Sequence, residues 1–119
     1  MLFGNEMPGI ATLLKAANKR VPLYLFSNSN PAHEAFWRQR FADVLTNFTR
    51  IFASSNIGLR KPDAAAFEYV CDEIRTPAER IIFFDDLLEN IEGAQACGLQ
   101  TIHVTKASDV ETALSPMLR

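Results

Sequence analysis

Apolar runs and helix-spaced apolar positions alternate along the chain. Mostly apolar runs, which are typical of strands buried on both faces, lie at residues 21–26, 50–53, 80–84 and 100–104. Apolar spacing and helix-start residues predict helices at residues 8–19, 31–40, 62–75 and 87–97, and a short final helix from residue 108. Residues 41–49 fit either a short helix or a loop, and residues 54–58 read as a turn-rich loop. This alternation predicts an α/β protein with a doubly wound, Rossmann-like parallel sheet.

The central feature of the pattern is the stretch from Arg80 to Ala94. Here the uninterrupted apolar run Ile81–Phe84 leads directly into two adjacent carboxylates, Asp85 and Asp86, before a helical pattern begins. Ligands of parallel α/β sheets bind just beyond the carboxyl ends of the strands. Two neighbouring like charges repel, so a cation bound between them is one explanation. A helix N-cap followed by a first-turn acid is the other.

Two further predicted strands lead to polar residues at the same edge of the sheet. Ser27 and Asn28 follow the strand at residues 21–26, and the loop after the strand at residues 50–53 leads to Lys61 at the start of a helix. A hydroxyl, an ammonium and two carboxylates at one edge suit a phosphate held beside a divalent cation. Taken singly, Ser27 and Asn28 fit a cap or turn, and Lys61 fits a solvated side chain before a helix. The combination favours the phosphate site.

Composition excludes several classes of protein. The chain has 119 residues, which suits one domain, and its net charge of −2 gives no basic surface for nucleic acid. No apolar run approaches the roughly 20 residues needed to span a membrane, and the first residues do not resemble a signal peptide. The two cysteines, Cys71 and Cys97, lack metal-site spacing, so we expect buried free thiols and a cytoplasmic protein.

The remaining chemically distinctive residues indicate no site of their own. We expect His33 in the first turn of a surface helix and His103 in the last strand, and neither is given a role. The aromatic pair Phe36 and Trp37 is expected to pack in the core or between helices.

Three segments together resemble a known family. LFSN at residues 25–28, RKPD at 60–63 and FFDD with NIEGA at 83–94 resemble motifs II, III and IV of the haloacid dehalogenase (HAD) superfamily. Within it they look most like the α-D-glucose-1-phosphate phosphatase-like branch. The resemblance implies a Mg²⁺-dependent phosphatase that acts on a phosphorylated small molecule through an aspartyl-phosphate intermediate, and it suggests a sugar phosphate as that molecule.

The resemblance also implies roles for individual residues. Ser27 would be the phosphate-binding hydroxyl, flanked by Asn28. Lys61 would be the catalytic lysine that steadies both the nucleophile and the phosphate. Asp85 and Asp86 would form the acidic metal-binding motif.

One family motif is absent from the chain. The first motif, DxDx(T/V), carries the attacking aspartate on the first strand, and no aspartate of this chain is followed by another two positions later. The helical cap that normally follows it is missing as well. The family's sheet order places that strand between those of motifs II and IV, so we expect a sheet without its central strand. The slot would be about 10 Å wide, closed by direct pairing, by a second chain, or by residues 1–5 folding back.

The missing motif sets the functional expectation. Residues 1–119 would form a single, partial HAD-like core domain without a cap, with weak Mg²⁺ affinity and no turnover as this chain alone. The alternative is a non-catalytic, HAD-derived binding or dimerisation module, as a homodimer or with a complementing chain. A response-regulator receiver is disfavoured, because there the acids come first in the chain and the lysine last.

Overall fold

The computed structural model describes residues 1–4, 11–28, 30–40 and 42–118. The five strands are β1 (Leu2–Phe3), β2 (Tyr24–Ser27), β3 (Arg50–Ala53), β4 (Ile82–Asp85) and β5 (Gln100–His103). The helices are α1 (Ala11–Asn18), α2 (Pro31–Arg40), α3 (Ala42–Leu45), α4 (Ser54–Ile57), α5 (Ala64–Ile74), α6 (Leu88–Ala96) and α7 (Ala107–Leu118), and Ala78–Arg80 forms a 3₁₀ turn. Within these ranges no helix is both long enough and apolar enough to cross a membrane.

The strands form one parallel sheet in the order β3-β2-β1-β4-β5. The sequence-based prediction of an α/β protein with a doubly wound parallel sheet is therefore confirmed. The four strands expected from the sequence are β2 to β5, and their bounds differ from the expected ones by up to three residues. Because all strands run the same way, the carboxyl ends of β2, β1 and β4 meet at one edge of the sheet.

The expectation that the sheet lacks its central strand is wrong. Leu2 of β1 pairs with Tyr24 of β2 on one side and with Phe83 of β4 on the other. The backbone N–H of Tyr24 also donates to the carbonyl of Met1 at 2.9 Å, and the N–H of Gly4 donates to that of Phe84 at 2.7 Å. The slot is closed in one of the three expected ways, by the first residues of the chain.

Alternation along the strands divides the core between the two faces of the sheet. Phe3 and Phe84 face the layer formed by α1 and α7, and their rings stack with centroids 4.7 Å apart. Leu2 and Phe83 face the opposite layer, which contains α5 and α6. All four side chains have no exposed surface. A fully buried leucine or phenylalanine contributes about 1.5–3 kcal/mol, so two residues of β1 are enough to anchor the strand.

Three local expectations need correction or completion. Residues 54–58 do not form a simple loop, because Ser54–Ile57 is a turn of helix that ends at Gly58 with a φ of 72°. Within the ambiguous region 41–49, residues Ala42–Leu45 are helical. Phe36 is not a packing residue, since its side chain is 61% exposed. The expected helix start at residue 8 and the side chain of Trp37 lie outside the described residues.

Candidate functional site

The carboxyl edge of the sheet brings together the ends of β2, β1 and β4. Leu25, Phe3 and Phe84 lie side by side in the register of these strands. Ser27 therefore ends β2 at the same edge at which Asp85 ends β4. Ser27 is 3% exposed and Asp85 is fully buried, so both polar side chains are set into the edge rather than spread on the surface.

Lys61 reaches this edge from the loop before α5. Its Nζ donates to Oδ2 of Asp85 at 3.1 Å and to the carbonyl of Gly4 at 2.6 Å. The side chains of Lys61 and Asp85 are 1% and 0% exposed, so this is a buried ion pair. The ammonium also lies 5.4 Å from the ring centre of Phe26 and 5.8 Å from that of Phe83. The lysine is thus held by a carboxylate, a carbonyl and two aromatic faces.

Electrostatics keep the buried carboxylate of Asp85 charged. Burial alone would raise the pKa of Asp85, because it penalises the charged form. The ammonium of Lys61 and the hydrogen bond from the N–H of Leu87 outweigh burial and hold the pKa below its ordinary value of 3.8. Asp85 is therefore ionised at neutral pH and its charge is balanced by Lys61.

Asn90 is a site residue that sequence reasoning did not single out. It is 2% exposed, and its Nδ2 donates to Oδ2 of Asp85 at 3.2 Å. Its Oδ1 is buried and has no hydrogen-bond partner among the described residues. A buried acceptor without a donor is costly unless water or a ligand supplies one. The sequence did contain a signal for this residue, because Asn90 opens the NIEGA segment one turn of helix after Asp85 and Asp86.

Asn28 holds the lysine loop in place. Its Nδ2 donates to the carbonyl of Lys61, and its Oδ1 accepts from the N–H of Lys61, each at 3.0 Å. The amide group thus forms a reciprocal pair of hydrogen bonds between the end of β2 and the loop before α5. Direct binding of phosphate by Asn28 stays a prediction, whereas its positioning of Lys61 is a property of the structure.

Gly93 fixes the other side of the lysine loop. A Cβ at this position would lie 2.6 Å from the carbonyl oxygen of Pro62 and 3.0 Å from its Cβ. Helix α6 therefore packs directly against the residue after Lys61, and only glycine allows that approach. The helix that carries Asn90 and the loop that carries Lys61 are joined by this contact.

The residue that follows the central strand is Gly4. A Cβ built on Gly4 would overlap Oδ2 of Asp85 and lie 3.0 Å from its Cβ. The carboxylate of Asp85 occupies the space in which a side chain of residue 4 would begin. At this position the chain offers a backbone carbonyl and no nucleophilic side chain.

Asp85 and Asp86 are the carboxylates that the sequence predicts as ligands of a cation. Asp86 is exposed, and its carbonyl lies 3.0 Å from Nε2 of His103. Among the described residues no group of three or more His, Cys, Asp or Glu side chains could hold a metal. Mg²⁺ is typically bound by one or two carboxylates and several waters, and the unpartnered Oδ1 of Asn90 is an acceptor for such a water. The residues therefore fit a weakly held, largely hydrated Mg²⁺.

Two surface features adjoin the site. A polar cavity of about 220 Å³ lies beside the lysine loop, and its described lining is Asn28, Asn30, His33 and Arg60. At the start of α6, directly after the acidic pair, the side chains of Leu87 and Leu88 are 48% and 55% exposed.

Comparison with known proteins agrees with this geometry. The model of the haloacid dehalogenase-like hydrolase family matches residues 2–98. The chain is 37% identical over 107 residues to drimenol cyclase drtB of Aspergillus calidoustus, which is 89% of this chain and 20% of the cyclase. It is 48% identical over 58 residues to sesquiterpene phosphatase astK of Aspergillus oryzae, which is 49% of this chain and 30% of the phosphatase.

A solved structure of the same kind contains a metal. The HAD-hydrolase YfnB of Bacillus subtilis, crystallised bound to magnesium, superposes with a TM-score of 0.73 at 29% identity, over 82% of this chain and 43% of YfnB. The chain thus spans less than half the length of each of these three proteins. The family match covers most of the chain and begins at β1, and on this ground the chain belongs to the haloacid dehalogenase-like hydrolases.

Proposed function

We propose that this chain is the phosphate-binding core of a HAD-family phosphatase. The observation that carries the proposal is the buried pair of Lys61 and Asp85 at the edge of the sheet where Ser27 also ends its strand. A buried ammonium and a buried hydroxyl at the carboxyl ends of parallel strands suit an anionic ligand. Because the chain belongs to the haloacid dehalogenase-like hydrolases, we infer that this anion is a phosphoryl group.

Each residue has a distinct task in this proposal. The hydroxyl of Ser27 donates a hydrogen bond to a phosphate oxygen. The ammonium of Lys61 opposes the negative charge of the phosphoryl group, and Asn28 keeps the backbone of Lys61 in place. Asp85 holds the ammonium in position, and Asp86, exposed beside it, is the second carboxylate of the proposed cation site.

Mg²⁺ is the cation that suits this donor set. When bound, it would neutralise charge on the phosphoryl oxygens. Asp85 and Asp86 would hold it, with Asn90 accepting a hydrogen bond from a water in its shell. Because both oxygens of Asp85 already accept hydrogen bonds within the protein, we expect weak affinity for the metal in the absence of phosphate.

Turnover by this chain alone is expected to be negligible. The covalent route requires an attacking side chain at the end of the central strand, and Gly4 provides none. The overlap between a Cβ at residue 4 and Asp85 supports this expectation. We therefore expect a core that binds a phosphate without forming an aspartyl-phosphate.

As the ligand class we propose an isoprenoid phosphate rather than a sugar phosphate. The drimenol cyclase and the sesquiterpene phosphatase that this chain resembles are named for terpene chemistry. The exposed Leu87 and Leu88, directly after the acidic pair, offer an apolar surface to a hydrocarbon chain beside the phosphate. Within the described part of the chain, the sugar-phosphate alternative implied by the glucose-1-phosphate phosphatase branch has no comparable apolar surface in its favour.

The alternative function is a non-catalytic binding or dimerisation module. The absence of a side chain at Gly4 is the feature that favours it. Because Leu2 and Phe3 fill the central slot, a second chain is no longer needed for that purpose. Self-association stays a prediction that a solution mass measurement tests. Cys71 and Cys97 are free thiols that are half-buried rather than buried as expected, and their free state supports the proposed cytoplasmic location.

Calorimetric titration with orthophosphate in the presence of Mg²⁺ tests the proposed function. We expect saturable binding that Ser27→Ala weakens about tenfold, the value of one charge-assisted hydrogen bond. Ser108→Ala removes an exposed hydroxyl from α7 and serves as the control, with unchanged affinity. Binding that is equally strong in the Ser27 variant would contradict the proposal.

An activity assay on the same samples separates binding from turnover. We expect no Mg²⁺-dependent hydrolysis of p-nitrophenyl phosphate above the rate of the Asp86→Asn variant. A Mg²⁺-dependent rate that Asp86→Asn abolishes would show that the chain is an active phosphatase.

A further inference from the structure

We propose that the polar cavity beside the lysine loop binds a second anionic group, so that the substrate class is a diphosphate ester. This inference rests on the proposed function, because it places the first phosphate at Ser27 and Lys61. It adds a second subsite, at Arg60 and His33, that takes the neighbouring phosphate of the same molecule.

The cavity and the phosphate site share a wall. Arg60 directly precedes Lys61, so their Cα atoms are about 3.8 Å apart. Asn28 lines the cavity and is hydrogen-bonded through its amide to the backbone of Lys61. The cavity is thus lined by the residue that follows Ser27 and by the residue that precedes Lys61. At about 220 Å³ the cavity is far larger than the roughly 10–15 Å³ that one water requires.

The described lining of the cavity is suited to an anion. The guanidinium of Arg60 is exposed and makes no hydrogen bond or ion pair with the described residues. Its donors are therefore available, and their fork geometry matches phosphate oxygens. His33 adds an exposed imidazole at the first turn of α2, where the helix dipole also favours negative charge. No acidic side chain is among the described lining residues.

The contrast with Arg50 shows why Arg60 is distinctive. Arg50 is also on the surface, but its guanidinium is 2.9 Å from Glu73 and lies over the ring of Phe52. An arginine engaged in this way is explained by the fold. Arg60 directly precedes Lys61, and its guanidinium has no partner among the described residues. A ligand in the cavity would explain its position.

Titrations with inorganic pyrophosphate and with orthophosphate, both with Mg²⁺, test the proposal. We expect the chain to bind pyrophosphate about tenfold more tightly than orthophosphate. Arg60→Gln should abolish this preference and leave the orthophosphate affinity within about twofold, since it removes only the second subsite. Arg80→Gln is the matched control, because Arg80 is an exposed arginine that precedes β4 at the opposite edge of the sheet. It should keep the preference.

The outcomes separate this inference from the proposed function. Orthophosphate binding that depends on Ser27, with no preference for pyrophosphate, would overturn the second subsite and leave the proposed function intact. Equal effects of Arg60→Gln and Arg80→Gln would also overturn it. Binding of neither ligand would overturn both.

Discussion

The ammonium of Lys61 lies 3.1 Å from Oδ2 of Asp85, and neither side chain reaches solvent to more than 1% of its surface. These residues are 24 positions apart, since Lys61 lies in the loop before α5 and Asp85 is the last residue of β4. Burying two charges costs several kcal/mol each, which the pair recovers only while both members are present. The contact therefore links the stability of the fold to the integrity of the site.

Removal of the lysine charge should strongly destabilise the protein. Lys61→Met keeps the apolar stem but leaves Asp85 charged and buried without its counter-ion. We expect the free energy of unfolding in urea to fall by about 3–5 kcal/mol. Arg50→Met is the control, since it breaks an ion pair with Glu73 that is 45% and 39% exposed and should cost less than about 1 kcal/mol. Similar losses in the two variants would contradict the burial of the Lys61 pair.

The overlap at Gly4 gives a second prediction. In Gly4→Ala the new methyl group meets the carboxylate of Asp85, which Lys61 and Asn90 hold in place. We expect a loss of about 1–3 kcal/mol, as for overpacked cores, and a weaker Lys61 contact seen as a changed Nζ signal in NMR. Gly58→Ala meets no atom within 4 Å but has a φ of 72°, so it should lower stability without changing that signal. An unchanged Nζ signal in Gly4→Ala would contradict the placement of Gly4.

The central strand is tested by shortening one of its side chains. Leu2 has no exposed surface, so Leu2→Ala should lower the free energy of unfolding by about 2–5 kcal/mol. Leu88→Ala, at a leucine that is 55% exposed, should change it by less than about 0.5 kcal/mol. A neutral Leu2→Ala variant would show that residues 2–3 do not form the centre of the sheet.

Acid sensitivity should come in part from Glu34, which joins α2 to α4. Its carboxylate accepts hydrogen bonds from Ser55, Asn56 and Arg38 at 2.6–2.8 Å. The hydrogen bond from Ser55 is the main cause that lowers the pKa of Glu34 below its ordinary value of 4.5. As the pH falls, Glu34 is therefore protonated in the unfolded chain before it is protonated in the folded protein. The stability that Glu34 contributes is complete above a pH of about 4.5 and is lost as the pH drops through the pKa of Glu34 in the folded protein.

The measurement is the urea midpoint between pH 7 and pH 3 for the natural chain and for Glu34→Gln. We expect the natural chain to lose more stability than the variant over the acidic part of this range. Parallel profiles would show that Glu34 does not contribute to the acid sensitivity.

The sequence predicted the strands whose signal is local and continuous. Ile81–Phe84 followed by two acids indicated both a buried strand and the edge at which Asp85 lies. Leu2 and Phe3 gave no such signal, because two apolar residues are shorter than the strands that a pattern can identify. Their role depends on pairing with β2 and β4, which come more than 20 and 80 residues later.

Contacts between distant residues were equally out of reach. Glu34 meets Ser55 and Asn56, which are 21 and 22 positions away, and no spacing rule connects them. Arg60 and His33 line one cavity although 27 positions separate them.

The shared edge of the sheet, by contrast, could be predicted for Ser27, Lys61 and Asp85. Each of them follows or approaches the end of a strand, and parallel strands end together.

The most direct test of the phosphate-binding core is a ¹H–¹⁵N NMR titration of the chain with orthophosphate and Mg²⁺. We expect saturable shifts in the backbone amides of Ser27, Lys61 and Leu87 at the carboxyl edge of the sheet, and none in Val21 or Ile81 at the opposite edge. Shifts confined to the opposite edge, or no shifts at all, would contradict the account.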